Sequence, residues 1–408
     1  MKFLIVTDAY FPNNSSVSVL LSDLAQEFIA QSIDVDILVS VAEQDAPIKI
    51  WNHNGCEVIS IKALKTKDIS YFRRTLNEFI NSWLIWRTLE KSPGFMSKQY
   101  DGVIWYSPTI FWGPLIKRLK RKFQCRSYLI LRDLFPDWAL HVGVLKKGLV
   151  YSFFKIVEQY QYRQADCIGV QSLNNLKYFQ KHNPIASKRA QVLWNWTSKL
   201  PAIPLKPCSI NISNTPLKDR IIFVYAGNLG VAQGGSAALF ELANNLHSNA
   251  DLGILVVGRG SAVDELKQLV TSSKLNNILV YDEIIADEMP SLLEQCHIGL
   301  VFLDRRHQTH NIPGKFVTYL QSGLPVLAWV NQGNDLVDLI ANDSIGISYV
   351  DEESADFAAL AIQLVAITKN DKTLDKRCKD FHHEFFLTSR AAKQILESFA
   401  EKDSEYAS

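Results

Sequence analysis

Short apolar runs alternate with stretches of helical period along the first half of the chain. KFLIVT, VDILVS, CEVISI, GVIWYS, SYLILR, CIGVQ and QVLWNW are strand-like, and helices are expected between them near 17–31 and 70–91. Apolar strands joined by crossovers of helical length are the pattern of right-handed units that build a parallel sheet. This half therefore predicts a doubly wound α/β domain. The rhythm breaks over residues 196–220, WTSKLPAIPLKPCSINISNTPLKDR, where four prolines and polar turn formers replace it, as in an inter-domain linker. It restarts with IIFVYAG, LGILVVG, NILVYD, IGLVFL, PVLAWV and GISYV, which predict a second Rossmann-like domain. The expected boundaries are 1–198, a linker over 199–219, 220–378, and a terminal segment over 379–408. In that segment Phe385, Phe386, Ala391, Ile395, Leu396 and Phe399 fall near one helical stripe, so a single helix is expected to return this face to the N-terminal domain.

A chain of 408 residues exceeds what one hydrophobic core usually organises, which agrees with two domains. At 47% apolar and 21% charged residues, its composition is that of a globular protein. The opening MKFLIVTD is too short in apolar residues for a signal peptide, and no run approaches the roughly 18 residues of a spanning helix, so a cytoplasmic protein is expected. Six scattered cysteines form no CxxC and no zinc spacing, and read as reduced thiols.

The net charge of +1 hides an asymmetry. Residues 1–200 hold 26 Lys and Arg against 16 Asp and Glu, and the excess lies in 51–200, with 24 against 9. There, YFRRTLNEFINSWLIWRTLEK, FWGPLIKRLKRKF and LKKGLVYSFFKIVEQYQYR interleave cations with aromatics. Such segments suit an anionic membrane surface, and equally suit amphipathic helices packed on a sheet. Nucleic acid is disfavoured because no recognition motif accompanies the charge.

Three segments of the second half carry candidate chemistry. YAGNLGVAQGG sets Gly227, Gly230, Gly234 and Gly235 between a strand and a helix, where glycine lets backbone N–H groups approach a phosphate or merely permits a tight turn. VVGRGSAVDEL sets Arg259 between Gly258 and Gly260, with Ser261 placed to cap the next helix; the arginine fits a phosphate, a base edge or solvent. LDRRHQTHNIPGKFVTYLQSGLPVLAWV is the most informative. Pro313 suits a first helical turn, Gly314 leaves the free N–H groups open, and Lys315 adds a cation where a diphosphate would sit, with Arg305 and Arg306 on the incoming loop. In the first half, LRDLFPDWA places Arg132 and Asp133 at the end of a strand, the edge that faces ligand in open parallel sheets. Asp133, or Asp137 after it, could take a hydroxyl proton, or Asp133 could pair with Arg132.

YAGNLGVAQG, VVGRG and NIPGKFVTYLQSGLPVLA, with LRDLFPDWALHVGVLKKG and VLWNW before them, resemble in order the bacterial family 4 glycosyltransferases of the GT-B fold. Among these, the O-antigen enzymes of the N-acetyl-L-fucosamine transferase type are the nearest in kind. The resemblance implies two Rossmann-like domains with a deep inter-domain cleft, and transfer with retention from a nucleotide diphosphate sugar, UDP-linked, to a lipid-linked saccharide. No metal or other cofactor is implied, since helix N-termini and basic side chains stabilise the departing diphosphate. The DxD at Asp34–Asp36 lies in a strand-like run and reads as a solvated strand face or end. Carried onto this chain, the resemblance gives donor contacts to Gly227, Asn228, Gly230, Gln233, Gly234, Gly258, Arg305, Arg306, His310, Asn311, Ile312, Pro313, Gly314 and Thr318. It gives catalytic roles to Asp133, Lys315 and Arg259, and acceptor contacts to Tyr10, Asn14, Ser15, Ser16, Arg132 and Asp137. Where many members have two glutamates eight residues apart, this chain has His310 and Thr318, and Asn228 and Gln233 replace a basic pair. A UDP-sugar epimerase, or a non-catalytic nucleotide-sugar binder, would share the architecture. A dehydrogenase is disfavoured because no GxGxxG follows the first strand.

Overall fold

The computed structural model describes residues 1–13, 15–107, 109–199, 206–229, 235–304, 306, 311–350 and 354–400. The chain divides into two compact units, one of Met1–Trp194 with the chain from Thr388 onward, the other Asn195–Leu387.

In the first unit the strands are β1 (Lys2–Thr7), β2 (Asp34–Val41), β3 (Ile48–His53), β4 (Cys56–Lys62), β5 (Gly102–Ser107), β6 (Arg126–Leu131), β7 (Cys167–Val170) and β8 (Ala190–Val192). Its helices are α1 (Ser16–Ala30), α2 (Tyr71–Glu90), α3 (Pro93–Met96), α4 (Gly113–Phe123), α5 (Asp137–His141), α6 (Leu149–Tyr162) and α7 (Leu173–His182). Among the described residues the sheet order is β3-β4-β2-β1-β5-β6-β7-β8. Successive strands step outward from β1 in one direction as far as β4 and in the other from β5 to β8, so the order reverses between β1 and β5. All pairings are parallel except β3 with β4. Helices cover both faces of such a sheet, and β5 is accordingly buried at every position.

The antiparallel edge strand β3 escaped the reading of apolar runs because it mixes polar with apolar residues and none of its positions is fully buried. Its sequence signal was the turn: Asn54 and Gly55 both have positive φ, 49° and 87°, the geometry an Asn-Gly hairpin needs. The expected solvated DxD is also corrected. Asp34 is exposed, but Asp36 is 3% exposed and is held by Lys2 at 3.0 Å, Lys98 at 2.6 Å and the Tyr100 hydroxyl at 2.7 Å. A buried carboxylate needs such partners to repay its desolvation.

The second unit holds β9 (Ile221–Asn228), β10 (Leu252–Arg259), β11 (Ile278–Asp282), β12 (Ile298–Phe302), β13 (Val326–Trp329) and β14 (Gly346–Tyr349). Its helices are α8 (Gly235–Asn245), α9 (Val263–Ser272), α10 (Met289–Leu293), α11 (Gly314–Gln321), α12 (Asp335–Asn342), α13 (Ser354–Asn370) and α14 (Leu374–Phe385). The sheet order among the described residues is β11-β10-β9-β12-β13-β14, and each pairing is parallel. Its reversal falls between β9 and β12. Residues 206–219 lie on this unit, with Ser209 bonded to Glu288 and the Ile212 N–H to Gln295.

The terminal segment is two helices, not one. α14 ends at Phe385, Leu387 bridges Thr197 in extended form, the Thr197 N–H bonds the Phe386 carbonyl at 2.9 Å, and α15 (Thr388–Ala400) starts anew. Phe386 is fully buried in the second unit, whereas α15 packs on α1 and β6 of the first, with the Phe399 ring 4.9 Å from Phe3. The expected single stripe is therefore shared between two cores, which an uninterrupted helix would prevent.

Candidate functional site

In open parallel sheets, ligands lie beyond the carboxyl ends of strands where the order reverses, because neighbouring loops there part to opposite faces. In the second unit these are the ends of β9 and β12. β9 runs into Gly227, whose φ of +123° suits glycine, and β10 lies so close that a Cβ on Gly258 would sit 1.9 Å from the Gly227 carbonyl oxygen. Gly260, with φ of +128°, would meet the Leu229 carbonyl at 2.6 Å. The two loops are tied by Leu229 N–H to the Arg259 carbonyl at 2.7 Å and Ala262 N–H to the Leu229 carbonyl at 3.1 Å. Ala262, and not Ser261, is consequently the N-cap of α9. The glycines bring main chain, without side chains, to the strand ends.

Beyond β12 the chain returns to open α11. Pro313, expected in the first turn, is instead the N-cap residue, with extended ψ of 142° and no side chain that could accept from the first amides of α11. A Cβ on Gly314 would meet nothing within 4 Å among the described residues, which leave this positive helix end uncovered. Tyr319 anchors the helix: its hydroxyl oxygen accepts from the Ala226 N–H at 2.8 Å, and its ring fills the space a side chain on Gly299 would need.

Lys315 stands between these two features. Its Cε lies 3.8 Å from where a Gly227 Cβ would be, and its ammonium sits 3.4 Å from the centroid of the Tyr225 ring. Among the described residues Nζ is buried with no hydrogen-bond partner. Burial lowers its pKa from 10.5 to about 7. A buried cation resting only on an aromatic face is a group waiting for an anion. Asn311 adds a buried side-chain oxygen without a partner among the described residues, while its carbonyl and that of Ile312 are held by Asn334 at 3.4 Å and Asn195 at 2.8 Å.

Other expected donor residues are placed differently. Thr318 turns its hydroxyl back to the Gly314 carbonyl at 3.2 Å. Asn228 is exposed, with its carbonyl taking the Tyr225 hydroxyl at 2.8 Å. Arg259 is exposed and 3.3 Å from Glu283, and Arg306 is forked onto Asp304 at 2.5–3.2 Å. Gly230, Gln233, Gly234, Arg305 and His310 lie outside the described residues.

In the first unit the reversal between β1 and β5 brings together Asp8, Tyr106 and, from the adjoining β6, Arg132 and Asp133. Arg132 is buried and spends its guanidinium on the Leu193 and Trp194 carbonyls at 2.7 and 3.3 Å. Asp133 accepts no hydrogen bond among the described residues, and burial raises its pKa to about 6 against the pull of Arg132. Asp8 is raised as well, mainly by burial. Sequence reasoning missed Asp8 and Tyr225, although Asp8 follows the first strand directly and Tyr225 sits inside FVYAG. Asp137, expected near the acceptor, is 3% exposed and bonded to the Tyr151 hydroxyl at 2.7 Å and to Lys155 at 3.3 Å, a support for α5 and α6. Tyr10 is buried edge-on to His53, Ser15 caps α1 through the Ser18 N–H at 3.3 Å, Ser16 is exposed, and Asn14 lies outside the described residues.

Two parallel-sheet α/β units give the chain the GT-B fold, that of the solved glycosyltransferases on which it superposes. Sucrose-phosphate synthase of Thermosynechococcus elongatus superposes with a TM-score of 0.71 at 12% identity, over 99% of this chain and 100% of that one. A UDP-forming α,α-trehalose-phosphate synthase of Burkholderia xenovorans, solved with glucose-6-phosphate, gives 0.73 at 11% identity over 98% and 100%. Anabaena HepE, solved with UDP and glucose, gives 0.67 at 15% identity over 98% and 100%. In sequence, the chain is 23% identical over 220 residues to the probable glycosyltransferase WbjE of Pseudomonas aeruginosa, a match spanning 53% of this chain and 54% of that protein, about half of each. No protein-family model matches.

Proposed function

We propose that this protein is a glycosyltransferase that takes a sugar from a nucleotide diphosphate donor, UDP-linked, and passes it with retention to a lipid-linked saccharide of surface polysaccharide assembly. The observation that carries the reading is the Lys315 ammonium, buried without an acceptor among the described residues between the Gly227 turn and the N-terminus of α11. A pyrophosphate there would meet main-chain amides, a helix dipole and one desolvated cation, which together favour the charge that grows as the C1–O bond breaks. The solved structures of HepE with UDP, and the name of WbjE, support a nucleotide-sugar donor.

On the first unit, Asp133 is the proposed base. The acceptor oxygen bonds to C1 of the sugar on the face from which the diphosphate leaves, which retains the configuration; the diphosphate takes the electron pair of the broken bond, and the acceptor proton passes to the carboxylate. A pKa of about 6 leaves Asp133 mostly ionised at neutral pH yet more basic than a solvated carboxylate. The donor sugar is proposed as an N-acetylated amino or deoxy sugar, and the place of work as the inner face of the cytoplasmic membrane, toward which the basic first half would turn.

The test is a thermal-shift screen of nucleotide sugars followed by turnover assays on the donor that stabilises most. A UDP-sugar that raises the melting temperature, and is consumed only when a saccharide acceptor is present, supports the proposal. Isomerisation of the donor without acceptor would make the protein an epimerase, and binding without turnover on any acceptor would leave it a binding protein.

A further inference from the structure

We infer that α2 and α6 form a wedge by which the first unit enters the headgroup region of an anionic lipid bilayer. The inference deepens the function proposed above, resting on it for a membrane-borne acceptor, and names side chains that enter lipid.

On α2, Phe72, Leu76, Phe79 and Trp83 are spaced by four, three and four residues, which puts them on one face. They are 79%, 48%, 58% and 50% exposed, and Tyr71 beside them is 77% exposed. On α6, Leu149, Phe153 and Ile156 repeat the spacing and are 91%, 44% and 70% exposed. The two helices meet at the buried Phe111, whose ring lies 6.3 Å from Phe79 of α2 and 6.4 Å from the buried Phe154 of α6. Two exposed apolar stripes of this kind on neighbouring helices mark an interaction face.

The remaining cation-rich segment, FWGPLIKRLKRKF, behaves differently. In α4 and its approach, Phe111, Trp112, Leu115, Leu119 and Phe123 are buried, so this helix is a core element with a solvated basic face. Burial therefore separates the wedge from ordinary packing, which periodicity could not do.

Charge selects the partner. Arg73, Lys146 and Lys147 are exposed and enter no ion pair among the described residues, and the Arg87 guanidinium lies 5.0 Å from the Trp83 ring centroid. A second copy docked on the same face by two-fold symmetry would bring like cations together. A bilayer accepts both groups at once, with apolar rings at the acyl boundary and cations among anionic headgroups.

The experiment is sedimentation of the full chain with vesicles of phosphatidylcholine alone or mixed equally with phosphatidylglycerol, together with Trp83 emission read as the difference between the protein and Trp83→Phe. Binding to the mixed vesicles with a blue shift of Trp83, and roughly tenfold weaker partitioning of Phe72→Ser/Phe79→Ser and of Leu149→Ser/Ile156→Ser, is the expected result. Lys146→Glu/Lys147→Glu is expected to lose the preference for phosphatidylglycerol. All three variants alter exposed positions, and an unchanged melting temperature with UDP-induced stabilisation intact shows that they are folded. The inference is overturned by absence of binding to either vesicle, by binding that the apolar substitutions leave unaltered, or by a dimer in vesicle-free solution that those substitutions dissociate. Failure here with UDP binding intact removes the wedge and leaves the transferase; vesicle binding without UDP binding does the reverse.

Discussion

A buried ammonium without an acceptor destabilises its protein until an anion arrives, and among the described residues Lys315 has none. Its folded pKa of about 7 lies below the unfolded value, so between pH 7 and 10.5 the unfolded chain binds the extra proton. Stability of the ligand-free protein should therefore rise with pH across that window, and the penalty should be fully present below it. Melting temperatures of the protein and Lys315→Met should show this rise in the first only. UDP binding at about pH 8 should draw in a proton, read by calorimetry in buffers of different ionisation enthalpy, and Lys315→Met should abolish the uptake. Asp133→Asn tests the other end of the proposed reaction. We predict loss of turnover by about two orders of magnitude or more with UDP-induced stabilisation unaltered; equal turnover would deny Asp133 the role of base. Lys315 was legible in Pro-Gly-Lys before a helix. That it rests on Tyr225 was not, because the two meet only when β9 and α11 are brought side by side.

At the scale of elements, the donor edge depends on how closely β9 and β10 approach. With the Gly227 carbonyl 1.9 Å from any Cβ on Gly258, Gly258→Ala must push one loop away. A cost of about 3 kcal/mol and a weakened UDP-induced shift are expected, read by denaturant unfolding and thermal shift. Gly314→Ala meets nothing within 4 Å among the described residues and is expected to keep the fold, so any change it causes in UDP binding reports crowding at the mouth of α11. The glycines were readable as turns, but the clash that makes Gly258 obligatory is between segments some thirty positions apart in sequence and was not. The α14–α15 break was hidden likewise, since Leu387 leaves the helix to bridge Thr197.

At the scale of the whole molecule, the chain crosses between units twice, and α15 completes the first. Ile395 is fully buried, so Ile395→Ala should cost about 2–5 kcal/mol. Because α15 belongs to the first unit, ending the chain after Leu387 should lower the melting of that unit and leave UDP-induced stabilisation of the second. Two calorimetric transitions, only that of the first unit displaced, would verify this; a single transition displaced as one would refute it.

The alternation of apolar strands and helices, the double sheet and the glycine turns with Pro313-Gly314-Lys315 were determined by the sequence itself, because they follow from local period and backbone freedom. The edge strand β3, the ion cluster around Asp36, the capture of Arg132 by main-chain carbonyls and the sorting of aromatics into core on α4 and surface on α2 and α6 were decided by tertiary structure alone. Burial and partnership are relations between distant residues, and a local pattern of apolar and charged positions is the same whether its face meets a sheet or meets solvent.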